Sequence, residues 1–246
     1  KEDFSVAKYK IMAEECINDV FSKKKTPIIA GGTGLYINSL VDNIEYTDTV
    51  TDWNFREAMR KEAEEKGSGF LHLRLQKIDP QSAERIHPND LKRIIRALEV
   101  YEYTGSTITW HREMSRINAP KYSYIMAGLT MERRLLYERI EKRIDKMLDC
   151  GLIDEVRQLI SSGCDETNIS MKGLGYKEIM GYIKGQYGIE EAINLLKRNT
   201  RRYAKRQLTW FKKDVRIRWF DLTDAYTKGE YLDVIKKILN YLKLSG

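Results

Sequence analysis

Thr26-Pro27-Ile28-Ile29-Ala30-Gly31-Gly32-Thr33-Gly34-Leu35-Tyr36 is the stretch on which the fold class turns. Thr26–Ala30 is a short apolar run, and Gly31–Gly34 stops it. Leu35 to Val41 then resumes with helical spacing. Strand, glycine-rich turn and helix in that order form the unit from which parallel sheets are assembled. The turn lets backbone approach a ligand closely, and its N–H groups with the following helix start can receive an anion. It is not a Walker A loop, because no Gly-Lys-Ser/Thr follows. It is not a dinucleotide fingerprint, because Ile37 stands where the third glycine belongs. Taken alone, the stretch reads better as a structural turn than as a ligand loop.

Outward from this stretch the chain is rich in helix. Ser5 to about Ser22 reads as a helix, with Ser5 as its N-cap. Asn54–Lys66 ends at Gly67, and His87-Pro88-Asn89-Asp90 is a turn and cap. It opens a helix carrying Leu91, Ile94, Ile95, Leu98 and Tyr101 at helical spacing, closed by Gly105. Tyr124–Leu129 is a second buried strand, after which Thr130 caps a helix running to Cys150, with Gly151 past its end. Helices are expected at about Tyr176–Tyr187 and Ile189–Lys213. Ile217–Asp221 is a third strand, followed by an amphipathic helix over Gly229–Leu244. Three parallel strands make a thin sheet for 246 residues, so a helical insertion in the middle and strands beyond one end are expected.

Composition removes whole classes. With 42% hydrophobic residues, a core can be buried and wholesale disorder is excluded. No apolar run approaches the roughly 20 residues of a membrane span. Cys16, Cys150 and Cys164 are too few for a disulfide framework, and no Cys-x-x-Cys pair exists. A reducing cytoplasm is the expected compartment. Cys150 and Cys164 read as small buried or inert thiols. His72, His87 and His111 lack metal-ligand spacing, and His87 reads as a turn or cap residue.

The net charge of +7 is modest, but its placement is informative. Lys197–Lys213 holds eight basic residues and no acid, leaving 35 basic against 36 acidic residues elsewhere. On a helix, Arg198, Arg202 and Arg206 form one i, i+4 row, with Arg201, Lys205 and Lys212 nearby and Tyr203, Gln207 and Trp210 as an adjoining stripe. Like charges at that spacing destabilise an isolated helix by a few tenths of a kcal/mol per pair, so the row seeks external anions such as RNA or pyrophosphate. The alternative is a solvated basic face with the aromatic stripe turned to the core. Arg139 and Arg143 repeat the i, i+4 spacing, where they either grip a phosphate or pair with the interleaved Glu138, Glu141 and Asp145. Lys172-Gly173-Leu174-Gly175-Tyr176-Lys177 either neutralises phosphate and stacks a base or is a plain helix–helix loop.

Together these segments resemble one family, the tRNA dimethylallyltransferases (tRNA isopentenyltransferases). The resemblance runs through Asp3-Phe4-Ser5-Val6-Ala7, Gly31-Gly32-Thr33-Gly34-Leu35-Tyr36, Arg85-Ile86-His87-Pro88-Asn89-Asp90 with Arg93, and Arg96-Ala97-Leu98-Glu99-Val100. It continues in Gly173-Leu174-Gly175-Tyr176 and Ala204-Lys205-Arg206-Gln207-Leu208-Thr209-Trp210. It implies transfer of a dimethylallyl group from dimethylallyl diphosphate to N6 of the adenosine on the 3′ side of the tRNA anticodon, with Mg²⁺ neutralising the leaving diphosphate. The adenosine would be flipped from its stack into a channel. It implies an α/β fold: a nucleotide-binding (ATP-type) P-loop-NTPase-like parallel-sheet core, incomplete here, with an all-helical insertion domain. The divisions are core over 1–47, insertion over 48–118, and the rest of the core with C-terminal helices over 119–246.

By position, Thr33 matches the threonine that hydrogen-bonds the target adenine, and Arg56 an arginine that meets tRNA. Arg85, Ile86, His87, Pro88, Asn89 and Asp90, and Lys172, Gly173, Leu174, Gly175, Tyr176 and Lys177, match tRNA-contacting segments. Arg202 and Arg206 complete the expected tRNA surface, and Arg139 and Arg143 match arginines near the pyrophosphate. The expected partners are the tRNA anticodon stem-loop and dimethylallyl diphosphate, with no membrane, on a monomer. The family opens with a strand, a Walker-A-like loop and an aspartate general base; this sequence has no Gly-x-x-x-x-Gly-Lys-Ser/Thr. The expectation is therefore an N-terminally truncated chain that binds tRNA but lacks transfer activity, with no residue here assigned as the base. The alternatives are a non-catalytic RNA-binding protein and a prenyltransferase acting on free adenine nucleotides. The helical middle, which gives surface for an anticodon arm, argues against the last.

Overall fold

The computed structural model describes residues 4–44, 52–115 and 119–243. Its elements in chain order are α1 (Val6–Ser22), α2 (Gly34–Val41), α3 (Trp53–Lys66), α4 (Ser68–Ile78), α5 (Pro80–Arg85), α6 (Leu91–Thr104), α7 (Ile108–Met114), β1 (Met126–Thr130), α8 (Arg133–Asp149), α9 (Leu152–Ser161), α10 (Tyr176–Ile183), α11 (Ile189–Phe211), β2 (Ile217–Asp221), α12 (Thr223–Lys228) and α13 (Leu232–Lys243). They fall into two compact units. One takes in Ala30–Gly34 and Ser123 onward, the other Ser5–Ile29 and Leu35–Tyr122. The division expected between residues 47 and 48 lies outside the described residues, as do residue 118 of the second division and Asp3 of the first motif.

The unit that contains Leu35–Tyr122 is helical throughout its described residues. Its core is Ala63, Leu71, Leu75, Ala83, Ile94, Ile95, Ala97 and Leu98, so the spacing read on α6 turned Ile94, Ile95 and Leu98 inward. Tyr101, expected on that face, is exposed. Asp90 caps α6 by accepting from the Arg93 N–H, and Gly105 ends it at φ 67°, a left-handed conformation that suits glycine. Glu99 lies fully buried on the same helix. It accepts from Arg56 Nε and Nη2, both at 2.8 Å, from Arg96 Nη1 at 2.6 Å and from the Asp52 N–H at 3.1 Å. A buried carboxylate requires such partners, and these tie α3 to α6.

The other unit holds the sheet. β1 and β2 are parallel, in register from Met126↔Ile217 to Thr130↔Asp221. Gly128 leaves room for its neighbours, since a Cβ there would lie 2.7 Å from Ile217 Cγ2 and 2.8 Å from Trp219 Cε3. The crossover between the strands carries α8 to α11, whose apolar sides close a core of Ile144, Leu152, Val156, Met171, Ile179, Met180, Ala192 and Leu196.

Four expectations are corrected. Thr26–Ala30 forms no strand: it joins no ladder among the described residues, and Ile28 is 86% exposed. An apolar run becomes a strand only where another strand satisfies its backbone, so composition alone could not decide it. The two strands that do form are not fully buried, since Leu129 is 55% exposed. Thr130 ends β1 rather than capping α8, whose N-cap is Glu132. Cys150, read as buried or inert, is exposed at the C-terminus of α8.

Glu99 supplies a test of this packing. Burial pushes its carboxyl upward, but the hydrogen bonds from Arg56, Arg96 and the Asp52 N–H, with the Arg56 charge, bring it below its ordinary 4.5. A lowered folded value contributes stability at pH above 4.5 that is lost as pH falls through that lowered value. Glu99→Ala, which strands two arginines, is expected to cost about 3 kcal/mol in urea unfolding near neutral pH and to reduce the acid sensitivity of the helical unit. An unchanged midpoint with an unchanged acid limb contradicts the assignment.

Candidate functional site

The long helix α11 carries the densest charge, and its neighbours decide which of its cations face outward. Arg201 pairs with Glu141, and Lys197 with Asp145 at 2.6 Å. Both acids lie on α8, one helical turn apart, so they neutralise the side of α11 that packs on α8. Arg198, Arg202, Lys205 and Arg206 are exposed and make no ion pair with any described carboxylate. Arg206 lies over the Tyr203 ring, 5.8 Å from its centroid. The basic segment thus divides into an inner pair held by acids and an outer row of cations.

The stripe beside that row meets the glycine turn. Gln207 Nε2 donates to the Gly32 carbonyl at 2.8 Å. The Trp210 indole lies so close on Gly34 that a Cβ there would be 2.2 Å from Nε1 and 2.3 Å from Cδ1. A Cβ on Gly32 would fall 2.3 Å from Gln207 Nε2. The stripe, which the alternative reading turned to the core, seats Gly31–Gly34 on the basic helix, and at Gly34 the rigid Trp210 ring leaves room only for glycine. Thr33 is exposed between the two seated glycines.

Lys172–Lys177 lies in the same unit. Ser170–Lys172 is a single 3₁₀ turn, Gly175 stands at φ 100°, and α10 begins at Tyr176. Lys172 and Gly173 are exposed. Leu174 and Tyr176 pack against the core, and the Tyr176 hydroxyl donates to Glu155. Tyr176 is half-buried, with its hydroxyl engaged. Lys177 Nζ lies 3.4 Å from Glu178.

Arg139 and Arg143 are exposed on α8. The acids that might have paired with them are engaged elsewhere: Glu138 with Arg134 at 3.3 Å, Glu141 with Arg201, and Asp145 with Lys197. Arg139 lies 5.7 Å above the Tyr226 ring. Glu141 follows Arg139 by two positions, about 200° of helical rotation, so these arginines and the α11 contact occupy opposite sides of α8. The structure does not gather them with the glycine turn.

In the helical unit, Arg85 and His87 to Asn89 are exposed. His87 Nδ1 accepts from the Asn89 N–H at 3.2 Å, a turn role, while Ile86 packs on the core. His72, which no pattern singled out, holds this segment: its Nε2 lies 3.0 Å from the Ala83 carbonyl and 2.9 Å from that of Ile86. Both partners are acceptors, so Nε2 carries the proton. Arg56 has two of its three guanidinium nitrogens on Glu99, which makes it an internal tie instead of an outward-facing cation.

The chain has relatives of known family in both sequence and structure. The sequence pattern of the family described as IPP transferase matches residues 1–214. The chain belongs to this family. A tRNA dimethylallyltransferase of Acetivibrio thermocellus is 49% identical over 245 residues, covering 100% of this chain and 77% of the relative. One from Desulforamulus reducens is 50% identical over 236 residues, covering 96% and 83%. The full-length tRNA isopentenylpyrophosphate transferase of Bacillus halodurans superposes with a TM-score of 0.66 at 39% identity, covering 99% of this chain and 76% of that one. A eukaryotic dimethylallyltransferase acting on tRNA gives 0.72 at 25% identity, covering 92% and 58%. The helix-rich α/β fold with a short parallel sheet is that of these IPP transferases.

The seat of the turn is testable. Gly34→Ala forces the rigid indole of Trp210 aside and is expected to cost about 1–3 kcal/mol, with a shift in tryptophan emission. Gly32→Ala displaces only the flexible end of Gln207 and is expected to cost less. Equal, negligible effects of both in chemical unfolding contradict the close contact.

Proposed function

We propose that this chain is the tRNA-gripping and adenine-presenting portion of a prenyl transfer site. The reaction is transfer of a dimethylallyl group from dimethylallyl diphosphate to N6 of the adenosine 3′-adjacent to the tRNA anticodon. The nitrogen lone pair forms the new bond to the allylic carbon, the carbon–oxygen bond to diphosphate breaks, and one proton leaves N6. The observation that carries the reading is the seating of Gly31–Gly34 on α11. It places the exposed Thr33, proposed to hydrogen-bond the adenine, on a turn anchored by the helix of Arg202 and Arg206. Those cations have no carboxylate of their own among the described residues, so phosphate is their natural partner.

Lys172–Lys177 and Arg85–Asp90 are proposed to extend the RNA surface. Arg139 and Arg143, which pair with no acid among the described residues, are proposed to meet the diphosphate, where planar guanidinium groups bind in bidentate fashion. Mg²⁺ belongs to the same proposal as counter-ion of the diphosphate. Among the described residues no group of three or more His, Cys, Asp or Glu comes together to hold a metal. The described residues build no cage for a metal. No residue here is assigned to take the proton. Among the described residues no helix is long and apolar enough to cross a membrane; a cytoplasmic monomer is the proposed working form.

The 246 residues contain no Gly-x-x-x-x-Gly-Lys-Ser/Thr stretch. We therefore expect the purified 246-residue chain to bind tRNA without prenylating it, and robust transfer from labelled dimethylallyl diphosphate would refute that. Arg202→Ala and Arg206→Ala are each expected to weaken binding of an anticodon stem-loop. Each should lower the slope of log affinity against log salt by about 0.7–0.9 for every phosphate that the variant no longer neutralises. Unchanged slopes in both variants return the row to a solvated basic face, and the RNA reading fails.

A further inference from the structure

Glu178 is 2% exposed, and a buried carboxylate must be satisfied by donors. Its Oε2 accepts from the Gly175 N–H at 3.0 Å. Its Oε1 accepts from Asn199 Nδ2 at 2.8 Å and lies 3.4 Å from Lys177 Nζ. The first bond is what a glutamate at the third position of a helix makes to its N-cap. Capping needs only that bond. The second crosses to α11, where Asn199 follows Arg198 and lies three residues before Arg202. One carboxylate thus joins the backbone of the Lys172–Lys177 loop to the helix of the outward cations, all within one unit. Gly175, at φ 100° and buried, is the loop residue so held.

We propose that Glu178 is a positioning residue that fixes the Lys172–Lys177 loop against the Arg198–Arg206 row, so that both meet one RNA backbone. This deepens the RNA-binding reading and rests on it. Glu178 also divides the two lysines of the loop. Both lysines are exposed, but Lys177 Nζ lies 3.4 Å from the Glu178 carboxylate, whereas Lys172 has no ion pair among the described residues. Lys172 is the cation that the loop presents. A buried carboxylate is a costly means of stabilising a loop compared with an apolar side chain of similar size. Its use here fits a requirement for defined geometry between two binding segments.

The test uses the 246-residue chain and a fluorescently labelled tRNA anticodon stem-loop, with affinity read by anisotropy at fixed salt. Glu178→Gln keeps the volume but turns one acceptor oxygen into a donor. Asn199→Ala removes the cross-helix donor from a half-buried position and carries the test if the glutamine variant does not fold. Each is expected to weaken binding roughly tenfold or more, as for a lost hydrogen bond to a charged group. The double variant is expected to be no weaker than the worse single, because both break one link. Lys172→Ala is expected to weaken binding more than Lys177→Ala. A purely structural role predicts that affinity follows the folded fraction and recovers on cooling to where circular dichroism shows full folding; such recovery overturns the proposal. Parental affinity in folded Glu178→Gln and Asn199→Ala, with Arg202→Ala still weakened, also overturns it and leaves the RNA reading intact. If Arg202→Ala, Arg206→Ala and Lys172→Ala all bind like the parent, the RNA reading itself fails.

Discussion

The Trp210 indole occupies the space that a side chain at residue 34 would need. That contact, with the Gln207 hydrogen bond to the Gly32 carbonyl, settles where the turn Gly31–Gly34 can lie. A mobile turn of glycines would carry a large entropic penalty on binding. Pinned at two points three residues apart on α11, it presents the exposed Thr33 in a restricted arc. The proposed chemistry depends on that restriction, because an adenine held by its edge must be brought to a fixed place before transfer.

The electrostatics follow from a division of labour between two helices. α8 supplies Glu141 and Asp145 to α11, and these neutralise Arg201 and Lys197. Arg139 and Arg143 lie on the opposite side of α8 from that contact, and Arg198, Arg202, Lys205 and Arg206 are exposed on α11. Both helices thus carry exposed cations without a carboxylate among the described residues. A protein that needed only solubility would gain from pairing them locally; leaving them without acids suits anionic ligands.

Much of the helical architecture was legible because its signals are local. Ser5 and Asp90 cap where expected, Gly105 and Gly151 stand left-handed at helix ends, and α6 buries Ile94, Ile95 and Leu98. What could not be read depends on partners distant in sequence. Thr26–Ala30 has strand composition but no ladder. Arg56 carries the same charge whether it meets RNA or Glu99, and only the fold brings Glu99 beside it. His72 shows no pattern, since its role is set by two carbonyls of a later turn. The aromatic stripe of α11 was visible, but whether it faced a core or a glycine turn required contacts spanning 175 residues.

Hydrogen–deuterium exchange of the chain with and without an anticodon stem-loop RNA addresses the central claim, that turn, loop and basic row form one RNA-reading surface. The account predicts that RNA slows exchange together at Gly31–Gly34 and at Lys172–Lys177, with both effects diminished in Arg202→Ala. Protection confined to other segments, or none at saturating RNA, would contradict it.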